Sequence, residues 1–268
     1  MRLITWNVAG RVARQAEQAA ALAQGSWDVV CLQEVTPTTL KPWRLALQAQ
    51  GLREVRSSLD EWLPGEPTPE GRRLGVITAA RGRLETMASA HVPWPERLLT
   101  VRVGEKEDGF VVHNLHSPIS QKPGRVKVRT HRALHRHLAR RAGVPSLLVG
   151  DLNTPRREFP DGRTWSFART AKGGIRLDRG EDWDREELAL LRGLEEHGLR
   201  DLYRDLHGYA RDEISFAAGR GRSGWRLDHI IGSEAFVPVA CEYEHGPRER
   251  GLSDHSPMWV EVTRADRP

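Results

Sequence analysis

The sequence predicts an α/β protein of alternating strands and helices, and three observations carry that prediction. Short apolar runs recur, and each ends in polar side chains: Leu3, Ile4 and Trp6 lead into Asn7, Val29 to Leu32 into Gln33 and Glu34, and Leu147 to Val149 into Gly150 and Asp151. Longer stretches with apolar residues three and four apart lie between them, which is the spacing of an amphipathic helix. The length of 268 residues leaves room for one large core or two small ones.

In chain order, the first strand closes at Asn7 and Gly10, and an alanine-rich helix with Ala13, Ala16, Ala20 and Leu22 runs toward Gln24. A strand over Asp28–Glu34 follows, then a helix over Leu40–Gln50 with Gly51 as its stop. Residues 60–73 hold three prolines, two glycines and Trp62, which predicts a long loop ending in Arg72-Arg73. Strands are expected at Leu74–Thr78, Leu98–Val103 and from Phe110, the last placing His116 just before a Ser-Pro break. A basic helix spans 125–141, and Arg156–Arg176 reads mostly as loop. Leu188, Leu191 and Leu194 mark one face of a helix stopped by Gly198, and Ile214 and Phe216 a short strand before the Gly/Arg loop 219–224.

Charge is uneven. Residues 121–176 carry 14 Lys or Arg against 3 Asp or Glu, within a chain whose net charge is only +5. Such a block suggests an anionic partner, phosphates first. Arginine outnumbers lysine 36 to 5, which genome base composition explains as well as phosphate binding does. Seven of the 14 lie in the basic helix, where charge is often a solvated face. Two cysteines, Cys31 and Cys241, form neither a disulfide framework nor a zinc site. The N-terminus opens directly on Arg2-Leu-Ile-Thr-Trp6, and no apolar run approaches the ~20 residues of a membrane span. A soluble cytoplasmic protein with buried thiols is expected.

Asp151 and Asn153 are two apart on an extended chain and should face one cleft. A carboxylate beside an amide suits holding and deprotonating a water. A plain strand-to-turn exit, with both side chains bonded to their own backbone, explains these two residues equally well. Asn7 and Glu34 end two further strands, and three strands finishing in amides and carboxylates point to one site at a sheet edge. His116 ends another. Asp228-His229 and Asp254-His255 each set an aspartate beside a histidine next to an apolar strand. In contact, a carboxylate fixes an imidazole tautomer and favours its charged form. His131 and His135 have the i, i+4 spacing of a metal pair, but they sit among arginines with no acidic third ligand and read as solvated.

Together, Thr5-Trp-Asn-Val8, Leu32-Gln-Glu34, Leu115-His-Ser117, Gly150-Asp-Leu-Asn153, Arg226-Leu-Asp228 and Ser253-Asp-His-Ser-Pro257 resemble the endonuclease/exonuclease/phosphatase superfamily over nearly the whole chain. The resemblance implies one domain over 1–268, built as a four-layered α/β sandwich with two β-sheets face to face and helices outside. It also implies Mg²⁺-dependent cleavage of phosphate esters, with Mn²⁺ as an alternative ion. Matched by motif, Glu34 is the main metal ligand, with Asn7 and Asp254 close by. Asp151 orients or deprotonates the attacking water, and Asn153 holds it or a phosphate oxygen. His255, held by Asp228, binds the phosphate as a cation, and His116 is a further phosphate or leaving-group contact. Layout is most similar to the exonuclease III-type abasic-site endonucleases, where Phe216, Trp225 and Leu227 would line a pocket for the baseless sugar. Simple packing of Trp225 and Leu227 into the core is the competing reading. His116 stands where that group usually has tyrosine, as in DNase I-type nucleases, and Ala9 where an acidic or amide residue is frequent.

Arg72, Arg156 and Arg226 complete the expected substrate contacts. The implied partner is nucleic acid, DNA before RNA, acted on by a monomer away from membranes. Two alternatives stand beside it: the same chemistry on a small or lipid-borne phosphate such as an inositol phosphate, and a non-catalytic nucleic-acid-binding relic.

Overall fold

The computed structural model describes residues 1–60, 74–120, 124–217 and 223–265. Its strands are β1 (Arg2–Asn7), β2 (Val29–Val35), β3 (Glu54–Ser57), β4 (Gly75–Ala80), β5 (Leu84–Thr86), β6 (Leu98–Val103), β7 (Phe110–His116) and β8 (Ser146–Asp151). Further on come the short pair β9 (Arg157–Glu158) and β10 (Thr164–Trp165), then β11 (Leu199–Asp201), β12 (Phe216–Ala217), β13 (Gly224–Trp225), β14 (Asp228–Ser233), β15 (Phe236–Tyr243) and β16 (Met258–Arg264). The helices are α1 (Gln15–Leu22), α2 (Pro37–Ala49), α3 (Val126–Ala139), α4 (Glu181–Glu187), α5 (Leu202–His207) and α6 (His245–Glu249).

Two six-stranded sheets result, in the orders β15-β16-β1-β2-β4-β3 and β11-β14-β8-β7-β6-β5. Each is mixed, with one parallel pair, β1–β2 in the first and β7–β8 in the second. Alternation along the strands explains the four layers. Leu3, Val29, Cys31 and Val76 of the first sheet share one core with Val101, Val112, Leu147, Val149 and Ile230 of the second. Ile4, Trp6, Val30, Leu32 and Ile77 point the other way, onto Ala19 and Leu22 of α1 and Trp43 and Leu47 of α2. Leu115, Leu148 and Ile231 likewise cover Leu134 and Leu138 of α3. Strands buried on both faces have no polar side to show, so they read as unbroken apolar runs. The fold is an α/β four-layered sandwich.

Several boundaries differ from expectation for identifiable reasons. α2 begins three residues early because Thr36 caps it reciprocally with Thr39 and Pro37 takes the first helical position. β3 and β5 carry one buried apolar residue each, Val55 and Leu84, too little to announce an edge strand. The helix expected over Leu188–Leu194 lies earlier, as α4, and its continuation breaks into turns in which His135 Nε2 takes the carbonyl of Gly193 at 3.0 Å. Leu190, Leu191 and Leu194 are buried all the same. His131 is not solvated: it is fully buried, and burial, then Lys127, push its imidazole down to about 3.

Both cysteines are buried and free. No helix among the described residues is long and apolar enough to cross a membrane. At least five of the 14 basic residues in the 121–176 block are ion-paired, four of them to Asp178, Asp184, Glu186 and Glu187 of the acidic segment that follows. The sequence-level imbalance therefore overstates the free positive charge there.

Gly150 closes the approach of β8 to β7. It has φ +122°, and a Cβ there would lie 2.2 Å from the carbonyl oxygen of Leu115. Backbone cannot yield as a side chain would. Gly150→Ala should lower stability by about 2–4 kcal/mol, measurable by urea denaturation.

Candidate active site

The polar strand ends meet at the seam between the two sheets, not at one sheet's edge. In the second sheet His116 pairs with Asp151 across β7 and β8, and Asp151 with Asp228 across β8 and β14. In the first, Asn7 ends β1 opposite Gln33. A bulge between Gln33 and Val35 then places Glu34 in the left-handed region at φ +59°. The bulge takes Glu34 out of the strand's alternation and turns it to Asn7. Ala9 and Asn153 are also left-handed, at φ +55° and +51°. Such backbone costs about 1–3 kcal/mol per residue and persists where its surroundings hold it, often at functional sites.

Asn7 is fully buried and its Nδ2 donates to both carboxylates, to Glu34 Oε1 at 3.1 Å and Asp151 Oδ2 at 3.0 Å. Asn7 Oδ1 accepts the Ala9 N–H at 2.9 Å, which fixes the amide's orientation. Asp151 Oδ1 accepts the Asn153 N–H at 2.8 Å, and Oδ2 accepts Asn153 Nδ2 at 3.2 Å. The backbone-bonded turn and the shared cleft, alternatives from sequence, are both present. His116 Nε2 lies 3.3 Å from Glu34 Oε1 and 3.9 Å from Asp151 Oδ2. His255 Nδ1 donates to Asp228 Oδ2 at 2.7 Å, while its Nε2 is 3.9 Å from Asp151 Oδ2.

Electrostatics separates the two imidazoles. Burial opposes a charge on His255, but Asp228 and Asp151 outweigh it and push its pKa up to about 10. It is a cation at neutral pH. Burial, then Arg97 and His255, hold His116 well below the usual range, so it is neutral. Burial raises Asp151, reinforced by Asp228 and Glu34 and opposed by His255 and the Asn153 N–H. A carboxylate so crowded is a ready proton acceptor. Donor atoms of Glu34, His116 and Asp151 all lie within 4.8 Å of one another, as do those of Asp151, Asp228 and His255. Two carboxylates facing across Asn7 suit a hard divalent cation.

Not every expected residue joins this group. Arg226 does not: it is buried, its guanidinium bonded to Glu158 at 2.7 and 2.8 Å and to Asp201 at 2.6 Å. Arg226 and Leu227 lie between β13 and β14, outside either ladder, and there the Arg226 side chain turns away from the site toward Glu158 and Asp201. Asn7 presents its NH₂ to the carboxylates, and its oxygen is taken by Ala9, so it orients ligands more than it offers one. Asp254 is half-buried and belongs to neither compact donor group among the described residues. Phe216 and Trp225 are half-exposed and stacked, with ring centroids 6.1 Å apart, and Phe216 lies 4.9 Å from the His255 ring. Leu227 is in the core, as the packing reading had it. Arg156 lines a cavity of about 420 Å³ with Trp225, Tyr209 and Ile214. Arg72 and Trp62 fall outside the described residues.

Other contributors carry weak sequence signals. Ser215 donates to Asp228 Oδ2 at 2.6 Å and accepts the N–H groups of Leu227 and Asp228, locking the Asp-His dyad. Trp6 Nε1 donates to the carbonyl of His255 at 3.0 Å, and Ser253 Oγ to that of Asn7 at 2.6 Å, tying the last motif to β1. Phe167 meets Trp225 edge-on at 5.6 Å. Arg157 lies over Phe159, 4.5 Å from its centroid, on the hairpin that follows the site. Of these, only Trp6 and Ser253 sit within the motifs that resemble the superfamily.

Residues 4–179 match the Endonuclease/Exonuclease/phosphatase family, and the chain belongs to that family. Its members are hydrolases of phosphate esters, and this chain is one. Solved structures share the fold. An AP endonuclease from Archaeoglobus fulgidus superimposes with a TM-score of 0.72 at 20% identity, covering 98% of this chain and 99% of that one. The 3′ phosphatase NExo from Neisseria, bound to product DNA hairpin, gives 0.69 at 20% identity, over 98% and 99%. The AP endonuclease LMAP from Leishmania major gives 0.69 at 19%, over 99% and 88%. No curated protein matches the chain by sequence.

Proposed function

We propose that this protein is a Mg²⁺-dependent phosphodiesterase acting on nucleic acid, DNA before RNA, in a repair role. One observation carries the reading: His255, bonded to Asp228, and Asp151, bonded to Asn7 and Asn153, face each other at 3.9 Å beside the stacked Phe216 and Trp225. His255, fixed by Asp228, is placed to pair with a phosphate oxygen. Asp151 is placed to take the proton of an attacking water, with Asn153 holding that water or a phosphate oxygen. Neutral His116 is placed to hydrogen-bond the phosphate or the leaving oxygen. Glu34 would hold the cation, with Asn7 keeping that carboxylate in position beside Asp151. When bound, Mg²⁺ (or Mn²⁺) supplies positive charge against the developing negative charge on phosphate. The half-exposed Phe216–Trp225 stack offers an aromatic wall beside the phosphate position that fits a sugar or base. Solved structures of the same fold include proteins described as AP endonucleases and one bound to a DNA hairpin, which favours DNA. All these groups come from one chain, which favours a monomer, and two free buried thiols suit the cytoplasm.

Two end-labelled duplexes test this, one intact and one with a single abasic analogue, each incubated with Mg²⁺ and with EDTA. A single cut at the lesion, abolished by EDTA, is the expected result. A ladder on both duplexes would indicate an enzyme needing no damage. No cut on either, from protein that hydrolyses a generic phosphodiester, would replace nucleic acid by a small phosphate.

A further inference from the structure

We infer that Lys127 and Glu187 are positioning residues for this reaction, a buried ion pair that holds the Asn153 backbone so that its amide stays against Asp151. The inference rests on the phosphodiesterase reading above and adds two residues that reading does not use.

Lys127 on α3 and Glu187 at the end of α4 are 1% and 0% exposed. Lys127 Nζ donates to Glu187 Oε1 at 2.7 Å, to Ser120 Oγ at 3.0 Å and to the carbonyl of Asn153. All three ammonium protons are thereby used. The Glu187 carboxylate also accepts Ser120 Oγ at 3.0 Å, Trp183 Nε1 at 2.8 Å and the Phe167 N–H at 3.0 Å. Its backbone carbonyl meets His131 Nδ1 at 2.9 Å, and His131 Nε2 meets Ser117 Oγ at 2.8 Å. The carbonyl of Ser117 in turn accepts Asn153 Nδ2 at 2.7 Å. The network thus grips Asn153 twice, at its carbonyl through Lys127 and at its side chain through Ser117.

That grip is where the left-handed backbone of Asn153 needs support. Rotation of its φ back toward the common region would carry its N–H away from Asp151 Oδ1 and its Nδ2 away from Oδ2. An ion pair is not needed to fill this space, because apolar residues of similar volume commonly replace a buried pair without loss of stability. What they lack is a donor for the Asn153 carbonyl. The same carboxylate fixes Phe167 against Trp225, so both sides of the site depend on Glu187.

The test compares Lys127→Met, Glu187→Gln and the double variant by thermal denaturation, by kcat and KM on whichever phosphodiester the wild type cleaves, and by the ¹⁵N–¹H signals of the Asn153 side chain, identified with Asn153→Asp. Each single variant strands a buried partner and should unfold early, while the double should regain most of the wild-type midpoint. Its kcat should nonetheless stay about 10- to 100-fold low with KM nearly unchanged, and the Asn153 NH₂ signals should move. Recovery of kcat together with stability, and unmoved Asn153 signals, would overturn the inference. Should the double variant not fold, Ser120→Ala, which loosens the pair without exposing charge, should move the same signals, and unmoved signals there would also overturn it. A wild type that cleaves no phosphodiester would refute the proposed function, and the Asn153 signals would still decide the positioning role.

Discussion

Asp151→Asn should lower kcat/KM for phosphodiester cleavage about 10³- to 10⁴-fold while the protein folds normally. The loss follows from the proton: an amide of the same shape keeps the acceptor for the Asn153 N–H but cannot take a proton from water, and positioned acid–base groups contribute about 10²- to 10⁴-fold. Folding should survive because Asp151 is a buried charge crowded by Asp228 and Glu34, and burial already raises its pKa. Neutralising it relieves that repulsion, but the amide NH₂ then faces the Asn7 and Asn153 Nδ2 donors in place of Oδ2 and the attraction to His255 is lost, so the denaturation midpoint should fall modestly. Asp151→Ala should lose as much activity. His255→Ala should lose about 10²- to 10³-fold, since it removes the preformed cation at the phosphate. Steady-state kinetics and a thermal melt on the same preparations check all three. Near-normal turnover in the Asp151 variants would remove this carboxylate from the chemistry.

Arg226→Met should destabilise the protein by about 3–5 kcal/mol, the usual effect of removing one partner from a buried pair. The guanidinium faces Glu158 and Asp201, neither of which reaches solvent freely. Burial opposes the charge of Glu158, but Arg226 and Arg204 outweigh it and hold its carboxyl down to about 2. Asp201 is lowered as well, burial again being outweighed by Arg226 and His229. A depressed carboxyl contributes stability that is complete above its ordinary value of 4.5 and disappears as pH falls through about 2. Wild type should therefore lose stability as pH drops from about 4.5 toward 2, and Arg226→Met, with its carboxyls less depressed, should lose less over that window. Urea denaturation at several pH values reads both effects. The same variant separates the two roles proposed for this residue. A substrate contact would raise KM and leave the melt unchanged, which would contradict the buried geometry.

Arg226 shows where sequence reasoning reached its limit. It stands one residue from Trp225 and two from Asp228, so a motif reading assigns all three to the site. Side-chain direction decides otherwise, because Arg226 sits in the irregular step between β13 and β14, and Glu158 and Asp201, 68 and 25 positions away, take its guanidinium. His131 is similar. Its arginine neighbours and the lack of an acidic third ligand on the helix suggested solvent, whereas its environment is set by Glu187 and Ser117 from other elements.

By itself, the sequence determined the central strands, their apolar runs and the polar side chains that end them, because burial on both faces is a local signal, whereas edge strands such as β3 and β5 left none. It also made legible the groups proposed to carry the chemistry: Glu34, His116, Asp151, Asn153, Asp228 and His255 stand in motifs whose order can be read along the chain. Only the tertiary structure decided that these groups come from two sheets meeting at a seam, since pairing register and sheet packing join residues as distant as Trp6 and His255, 249 positions apart. It likewise decided which imidazole is pushed toward charge and which away from it, because Asp228 is folded against His255 whereas burial, Arg97 and His255 itself oppose a charge on His116. The buried pair of Lys127 and Glu187 has no local signature at all. Its two charges are compatible with the core only because folding sets them against each other, and that complementarity exists in three dimensions alone.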